Sequence, residues 1–250
     1  GERSAFSSRT CLESLRNLGM QPDIDHCHDW QTALVPMLLN MQYRGDFPNT
    51  RSILTIHNIE YQGKCAPDFN RDVLGAPPQC DEIMRFGDCL YFLKAGIVMA
   101  DRVGTVSKTY AEELRYPYYA HGLSEILASR GDAFVGIVNG INMNLFDPET
   151  NPNLAEHYTA ATMREGKVAN KLAFQRRLGL PEDKDAALLV MVTRLAEHKG
   201  INLLCYIAER LLQRRVQLAV LGTGEEKYEW FLSGLQYRFP QQVAAHLVFD

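Results

Sequence analysis

No apolar run in this 250-residue chain approaches the roughly 20 residues that a membrane-spanning helix needs, and the N-terminus has no succession of basic, apolar and small-residue regions. Neither a membrane span nor a secretory leader is expected, and a cytoplasmic setting is. The six cysteines, Cys11, Cys27, Cys65, Cys80, Cys89 and Cys205, form no C-x-x-C pair and keep no regular spacing. That pattern argues against a disulfide framework or a structural zinc site and reads as reduced packing residues. Long basic blocks are absent too, and the formal net charge is −4, so bulk binding to nucleic acid or to an anionic membrane gets no support. Any anion site must be local.

Two common nucleotide and hydrolase signatures are also missing: there is no Walker A lysine motif and no G-x-S-x-G elbow. Gly222-Thr223-Gly224 is not a dinucleotide fingerprint, because the third glycine of G-x-G-x-x-G would fall at Lys227 and Glu225-Glu226 would repel a pyrophosphate. It reads either as a tight turn that lets backbone approach a ligand edge or as an ordinary strand-to-helix turn. No internal repeat or low-complexity tract stands out.

What the chain does have is apolar content, 46% of its residues, enough for one large core or two smaller ones. Short apolar runs alternate with helical patterns, the mark of a parallel sheet flanked by helices. The expected strands are 24–27, 52–56, 102–106, 134–138, 188–192 and 216–221. The expected helices are 4–18, 30–41 with Asp29 as N-cap, 86–99, 108–114 and 201–215, the last with an apolar stripe of Leu204, Ile207, Ala208, Leu211 and Leu212. Between Gly140 and Pro181 the pattern changes, with Pro148, Pro152 and several Asn and Asp residues before a charged helix near 164–178. This reads as a crossing between two α/β domains, and Lys167, Lys171, Arg176 and Arg177 as a solvated face. Both ends read as cut, so a partial chain is expected.

Arg194 and Lys199 sit in Thr193-Arg194-Leu195-Ala196-Glu197-His198-Lys199-Gly200, between the apolar run 188–192 and the helix expected from Ile201. Backbone N–H groups at a helix start favour an anion, so a guanidinium and an ammonium on this turn point to a phosphate or diphosphate site. Four further segments place polar groups just past an expected strand end, where open α/β sheets bind ligands: 26–32, 55–63, 105–107 and 138–142. In His26-Cys27-His28-Asp29, strand alternation turns Cys27 away from its neighbours, so these are read as strand-end residues and no metal is expected.

These segments, in this order, carry a resemblance. His-Cys-His-Asp-Trp-Gln-Thr-Ala (26–33), Thr-Ile-His-Asn-Ile-Glu-Tyr-Gln-Gly (55–63), Lys94-Ala95-Gly96, Gly136-Ile137-Val138-Asn139-Gly140-Ile141 and Arg194-Leu195 with Lys199-Gly200 make the chain resemble the bacterial glycogen synthases and plant starch synthases of glycosyltransferase family 5. The resemblance spans essentially all of the chain. It implies an α/β fold of the GT-B type, two doubly wound Rossmann-like domains facing a cleft, both incomplete here. Residues 1–142 would belong to the N-terminal, acceptor-side domain, and 143–250 to a linker and the start of the C-terminal, nucleotide-sugar domain.

The implied activity is transfer of glucose from ADP-glucose to an α-1,4-glucan such as glycogen with retention of configuration, without metal or cofactor, nucleic acid or membrane. Arg194 and Lys199 match the family's cations on the departing diphosphate. A unit-charge contact at about 4 Å is worth roughly 4 kcal/mol at an effective dielectric near 20, before desolvation. His28 matches the histidine beside the transferred glucose, and Asn139 an amide on glucose hydroxyls; their plainer readings are a structural strand-end histidine and a turn residue. His57 and Asn58, and after them Tyr61 and Gln62, fit an acceptor-side lining, while Gly222 and Gly224 fit a substrate edge. The family's Lys-Thr/Val-Gly-Gly-Leu loop and its Pro-Ser-Arg/Lys-Phe-Glu-Pro-Cys-Gly segment do not occur in the chain, and Asn142 stands where members usually carry Asp. The alternatives are another retaining GT-B transferase, against which segment 57–63 argues, and a non-catalytic glucan-binding fragment.

Overall fold

Apolar runs spaced by helices assemble into parallel sheets because a crossover of that length returns the chain to the same strand direction. The computed structural model describes residues 1–248, which fall into two units, Gly1–Gly140 and the remainder from Ile141. The first unit runs through α1 (Glu2–Asn17), β1 (Ile24–His28), α2 (Asp29–Thr32), α3 (Leu34–Met41), β2 (Arg51–Ile56), β3 (Lys64–Cys65), α4 (Gln79–Met84), β4 (Arg85–Phe86) and β5 (Cys89–Tyr91). It continues with α5 (Phe92–Met99), β6 (Arg102–Thr105), α6 (Lys108–Glu113), α7 (Ser124–Ser129) and β7 (Phe134–Gly136). Its main sheet has the order β1-β2-β6-β7 with every neighbouring pair parallel, and β3-β5-β4 form a small antiparallel sheet.

Burial follows the residue pattern. Along β2, Ser52, Leu54 and Ile56 are buried while Arg51, Ile53 and Thr55 are less so, the period-2 alternation of a strand. In α3 every residue from Leu34 to Leu39 is buried, so this helix has no solvent face and lies inside a core shared with Leu54, Phe92, Leu93 and Ile97. Each such Leu or Phe stabilises by about 1.5–3 kcal/mol relative to exposure.

Three sequence expectations are corrected here. The single helix expected over 30–41 is two, broken at Ala33. Pro36 has no N–H to give to the carbonyl of Thr32 and its ring would clash with that group, whereas the start of a new helix tolerates it. Asp29 is not the N-cap; His28 holds that position and Asp29 has a left-handed φ of +53°. The helix expected over 86–99 begins only at Phe92, because Gly87 (φ +59°) and Asp88 close a hairpin in which Phe86 pairs with Cys89.

The second unit contains α8 (Met163–Arg177), β8 (Ala187–Val192), α9 (Ile201–Leu212), β9 (Val216–Leu221), α10 (Glu226–Arg238) and β10 (Val243–His246), with a parallel sheet ordered β10-β9-β8. β9 is central and buried along almost its whole length, while β8 is an edge strand with Val190 and Val192 exposed. The buried stripe of α9 is Ile201, Ala208 and Leu212 with Leu204 and Cys205 partly covered; Ile207 lies off it and is 45% exposed, contrary to expectation. The charged helix is α8, and two of its basic residues are used locally: Arg176 donates to both carboxylate oxygens of Glu182, and the Lys171 ammonium to the Lys184 and Ala186 carbonyls. No helix among the described residues is long and apolar enough to cross a membrane.

Candidate functional site

A parallel sheet brings the C-terminal ends of its strands to one edge, so residues that follow those ends become neighbours without being close in sequence. In the first unit His28 is in register with Thr55, which places His57 beside it two residues later. His28 Nδ1 lies 3.0 Å from His57 Nε2, and the His26 ring stacks on His28 with centroids 4.3 Å apart while its own Nε2 lies 2.8 Å from Thr55 Oγ1. Cys27, between them, is buried on the opposite side of the strand, where burial and then Asp25 and Cys11 push its thiol up to about 12. His28 is held below the ordinary imidazole range, first by partial desolvation and then by its two histidine neighbours. Its neutral form is therefore favoured.

The other residues singled out in this unit divide into free and engaged groups. Tyr61 is 45% exposed. The side-chain oxygen of Asn58 accepts the N–H of Glu60, a local turn bond that leaves its NH2 group available. Gln62 is largely buried and its NH2 group donates to the carbonyl of His121, so it ties two loops together. Asn139 is exposed, but it does not end a strand: β7 stops at Gly136, because β6 itself ends at Thr105 and the Ile137 N–H to the Thr105 carbonyl is the last ladder bond.

In the second unit Arg194 lies two residues past the end of β8, and its loop is stitched to the one after β9. Leu195 forms a parallel bridge with Gly224, its N–H donates to the Thr223 carbonyl at 2.8 Å, and its carbonyl accepts from Glu225 at 2.8 Å. The glycines make this approach sterically feasible: a Cβ on Gly222 would lie 1.9 Å from the Thr193 oxygen, and one on Gly224 would lie 2.1 Å from the Leu195 oxygen. Glu229 accepts the Gly224 N–H, and Glu225 accepts that of Glu197. Glu225 is held below its usual range first by Lys227, then by that Glu197 N–H. Arg194, Gly222 and Gly224 line one cavity of about 380 Å³ with Val192, Thr193, Leu221, Thr223 and Val248.

Lys199 lies outside that lining, at the end of a short 3-10 turn (Glu197–Lys199) before Gly200 (φ +74°) opens α9. Arg194 and Lys199 are both exposed, and neither takes part in an ion pair among the described residues, unlike the nearby Lys227 and Glu225. No group of three or more His, Cys, Asp or Glu side chains placed to hold a metal occurs among the described residues.

Residues 1–129 match the family model described as the starch synthase catalytic domain. The chain belongs to that family. It is 41% identical to a glycogen synthase of Clostridium perfringens over 254 residues and 40% identical to that of Bacillus subtilis over 256, covering all of this chain and 52% of each relative. A solved structure of the catalytic domain of starch synthase IV from Arabidopsis thaliana, bound to ADP and acarbose, is 32% identical, with a TM-score of 0.88 over 99% of this chain and 52% of that one. The α/β architecture with parallel sheets matches that GT-B neighbour. The chain spans about half the length of the curated relatives it matches.

Three contacts in this family member were not expected from the sequence. Asp29 accepts the N–H groups of His57 and Asn58, Thr32 brackets the backbone of His28, and Glu229 holds Gly224. Period-2 alternation does put His26 on the His28 face; nothing in the sequence signals the left-handed backbone at Asp29.

Proposed function

We propose that this protein is a retaining glucosyltransferase that extends an α-1,4-glucan such as glycogen from ADP-glucose in the cytoplasm. The observation that carries this reading is the likeness, over nearly the whole chain, to a starch synthase structure holding ADP and acarbose. ADP is what glucosyl transfer from ADP-glucose leaves behind, and acarbose is a pseudo-oligosaccharide with the character of a glucan acceptor.

In this reading the first unit serves the acceptor and the transferred sugar, and the second serves the nucleotide sugar. Two exposed cations, Arg194 and Lys199, take the charge that develops on the departing diphosphate, a task metal-free transfer leaves to protein groups. The backbone around Gly222 and Gly224 meets an edge of the donor. Neutral His28 sits against the glucosyl ring, where an imidazolium would oppose the positive charge the ring acquires. Asn139 hydrogen-bonds sugar hydroxyls, and His57, Asn58 and Tyr61 line the acceptor side with Gln62 one layer behind them.

The test is incorporation of labelled glucose into glycogen from ADP-glucose against UDP-glucose, using the full-length gene product and its Arg194→Ala variant. Transfer from ADP-glucose that falls about 10²-fold in the variant is expected, the size of other lost transition-state contacts. Equal activity of the two proteins would remove the diphosphate role.

A further inference from the structure

The chain leaves β1 in an uncommon conformation. Asp29 has φ of +53°, and His121 is the only other non-glycine residue with positive φ among the described residues. Such a backbone persists where its surroundings over-determine it, and it gathers at functional sites. Here the surroundings are specific. Asp29 Oδ1 accepts the backbone N–H of His57 at 2.7 Å and that of Asn58 at 3.3 Å. The Thr32 hydroxyl accepts from the His28 N–H at 2.6 Å and donates to the His28 carbonyl at 2.9 Å, fixing the residue before the bend. One carboxylate thus moors the exit of β2 to the exit of β1.

The moored residue carries the ring that meets His28. Two imidazole nitrogens 3.0 Å apart need one proton between them, so the tautomer of His57 dictates that of His28. A solvated imidazole turns about its side-chain bonds and averages both tautomers; one that is hydrogen-bonded at Nδ1 does neither. His26 stacks on the same ring and narrows its rotation further. The titratable groups around the His28 ring are His26, His57 and Asp29, with Tyr110 beyond them, its hydroxyl 3.4 Å from the N–H of Ile59.

We propose that Asp29 is a positioning residue for glucosyl transfer: by mooring the His57–Asn58 backbone it docks the His57 ring on His28 Nδ1, and so sets the orientation and tautomer of His28. This rests on the reading that His28 faces the transferred sugar. His57 then supports His28 with its Nε2 as well as lining the acceptor side.

The experiment follows the imidazole nitrogens of the ¹⁵N-labelled chain by NMR, with His28 assigned through His28→Gln. One fixed tautomer of His28, with distinct protonated and unprotonated nitrogens, is expected in the wild type and in Asp29→Asn, which keeps an acceptor oxygen and tolerates left-handed φ. Asp29→Ala is expected to collapse the two signals toward a tautomer average. In the full-length gene product Asp29→Ala should lower kcat by about 10²-fold, as ångström-scale misplacement does, with little change in the KM for ADP-glucose. A fixed wild-type pattern surviving in Asp29→Ala overturns the proposal, since a purely structural residue would lower the melting temperature without releasing the ring. Should Asp29→Ala fail to fold, His57→Phe decides: it leaves Asp29 and its backbone acceptors in place, and an unchanged His28 tautomer there overturns the proposal equally. A full-length protein that fixes the ring and transfers no glucose would overturn the proposed function, while the ring pattern would still support the Asp29 geometry.

Discussion

Adding one methyl group at Gly224 tests whether the Arg194 loop is held by backbone packing. The new Cβ would lie 2.1 Å from the Leu195 oxygen, 2.5 Å from its carbon and 2.7 Å from its nitrogen, so no side-chain rotation relieves the clash. To reach the 3.4 Å of ordinary contact, the two loops must separate by about 1.3 Å. That movement breaks or stretches the Leu195 N–H bond to Thr223 and the Glu225 N–H bond to Leu195. Two backbone hydrogen bonds at about 0.5–1.5 kcal/mol each, with about 1–3 kcal/mol for overpacking, give an expected loss of about 2–6 kcal/mol.

For a unit of this size that corresponds to a fall on the order of 10 °C in Tm. Because Arg194 is the residue before Leu195, the same shift moves the guanidinium by about an ångström, and kcat should drop on the order of 10²-fold. Gly234 supplies the control. It lies inside α10 with nothing within 4 Å of its Cβ position, so Gly234→Ala should be neutral or stabilising by up to about 1 kcal/mol. Calorimetry and glucose incorporation on both variants measure the two effects. Gly224→Ala with wild-type Tm and wild-type turnover would refute the reasoning, because it would show that the loop has slack.

Two further outcomes can be measured on the chain itself. Val190 and Val192 are 53% and 69% exposed on one face of the edge strand β8, beside an apolar groove that includes Phe174 and Leu178, so self-association should rise with concentration; Val190→Lys with Val192→Lys should suppress it in light scattering, and unchanged scattering would discount that face. Asp183 is lowered to about 2, first by the Arg215 guanidinium and then by the Asp185 N–H. A carboxylate with a lowered folded-state pKa stabilises the fold above its ordinary value of about 3.9, and that contribution disappears as pH falls through the folded value. The Tm gap between wild type and Arg215→Gln should therefore be fullest above about pH 5 and close as pH falls toward 2; a gap independent of pH would reject the pairing.

Much of the architecture was legible because it is encoded by period. β9 has the bounds its apolar run predicts, and β1, β2 and β8 differ from expectation by a residue at one end. The expectations that failed turn on single residues acting through space or through missing hydrogen bonds. Pro36 splits a helix that periodicity alone would continue, Gly87 turns an apolar segment into a hairpin, and Ile207 falls between the faces of α9. α10 is hard to read because exposed Trp230 and Tyr237 blur the stripe of Tyr228, Leu232 and Leu235, and α7 because six residues make less than two turns. The motifs do place His57 and Arg194 beyond strand ends, where they occur, whereas His28, expected just past β1, is its last residue. Gln62 reads as a surface group in the sequence, yet its partner, the carbonyl of His121, is 59 residues away and invisible to local pattern.

The supports of both candidate regions depart from ideal α/β geometry in opposite ways, and the difference bears on how each tolerates change. At the end of β1 a residue with a side chain is held in left-handed backbone while its carboxylate accepts the His57 N–H, so glycine there would relax the backbone and release His57. At the end of β9 glycines stand because any side chain would separate loops already joined by backbone bonds. In the first case chemistry selects the residue against conformational preference; in the second, space selects it whatever the chemistry. Substitutions that raise the intrinsic preference of each position, Gly at 29 or Ala at 224, should thus both fail, although propensity alone favours each. That is the behaviour expected where a fold is bent to place side chains at its strand ends rather than to maximise its stability.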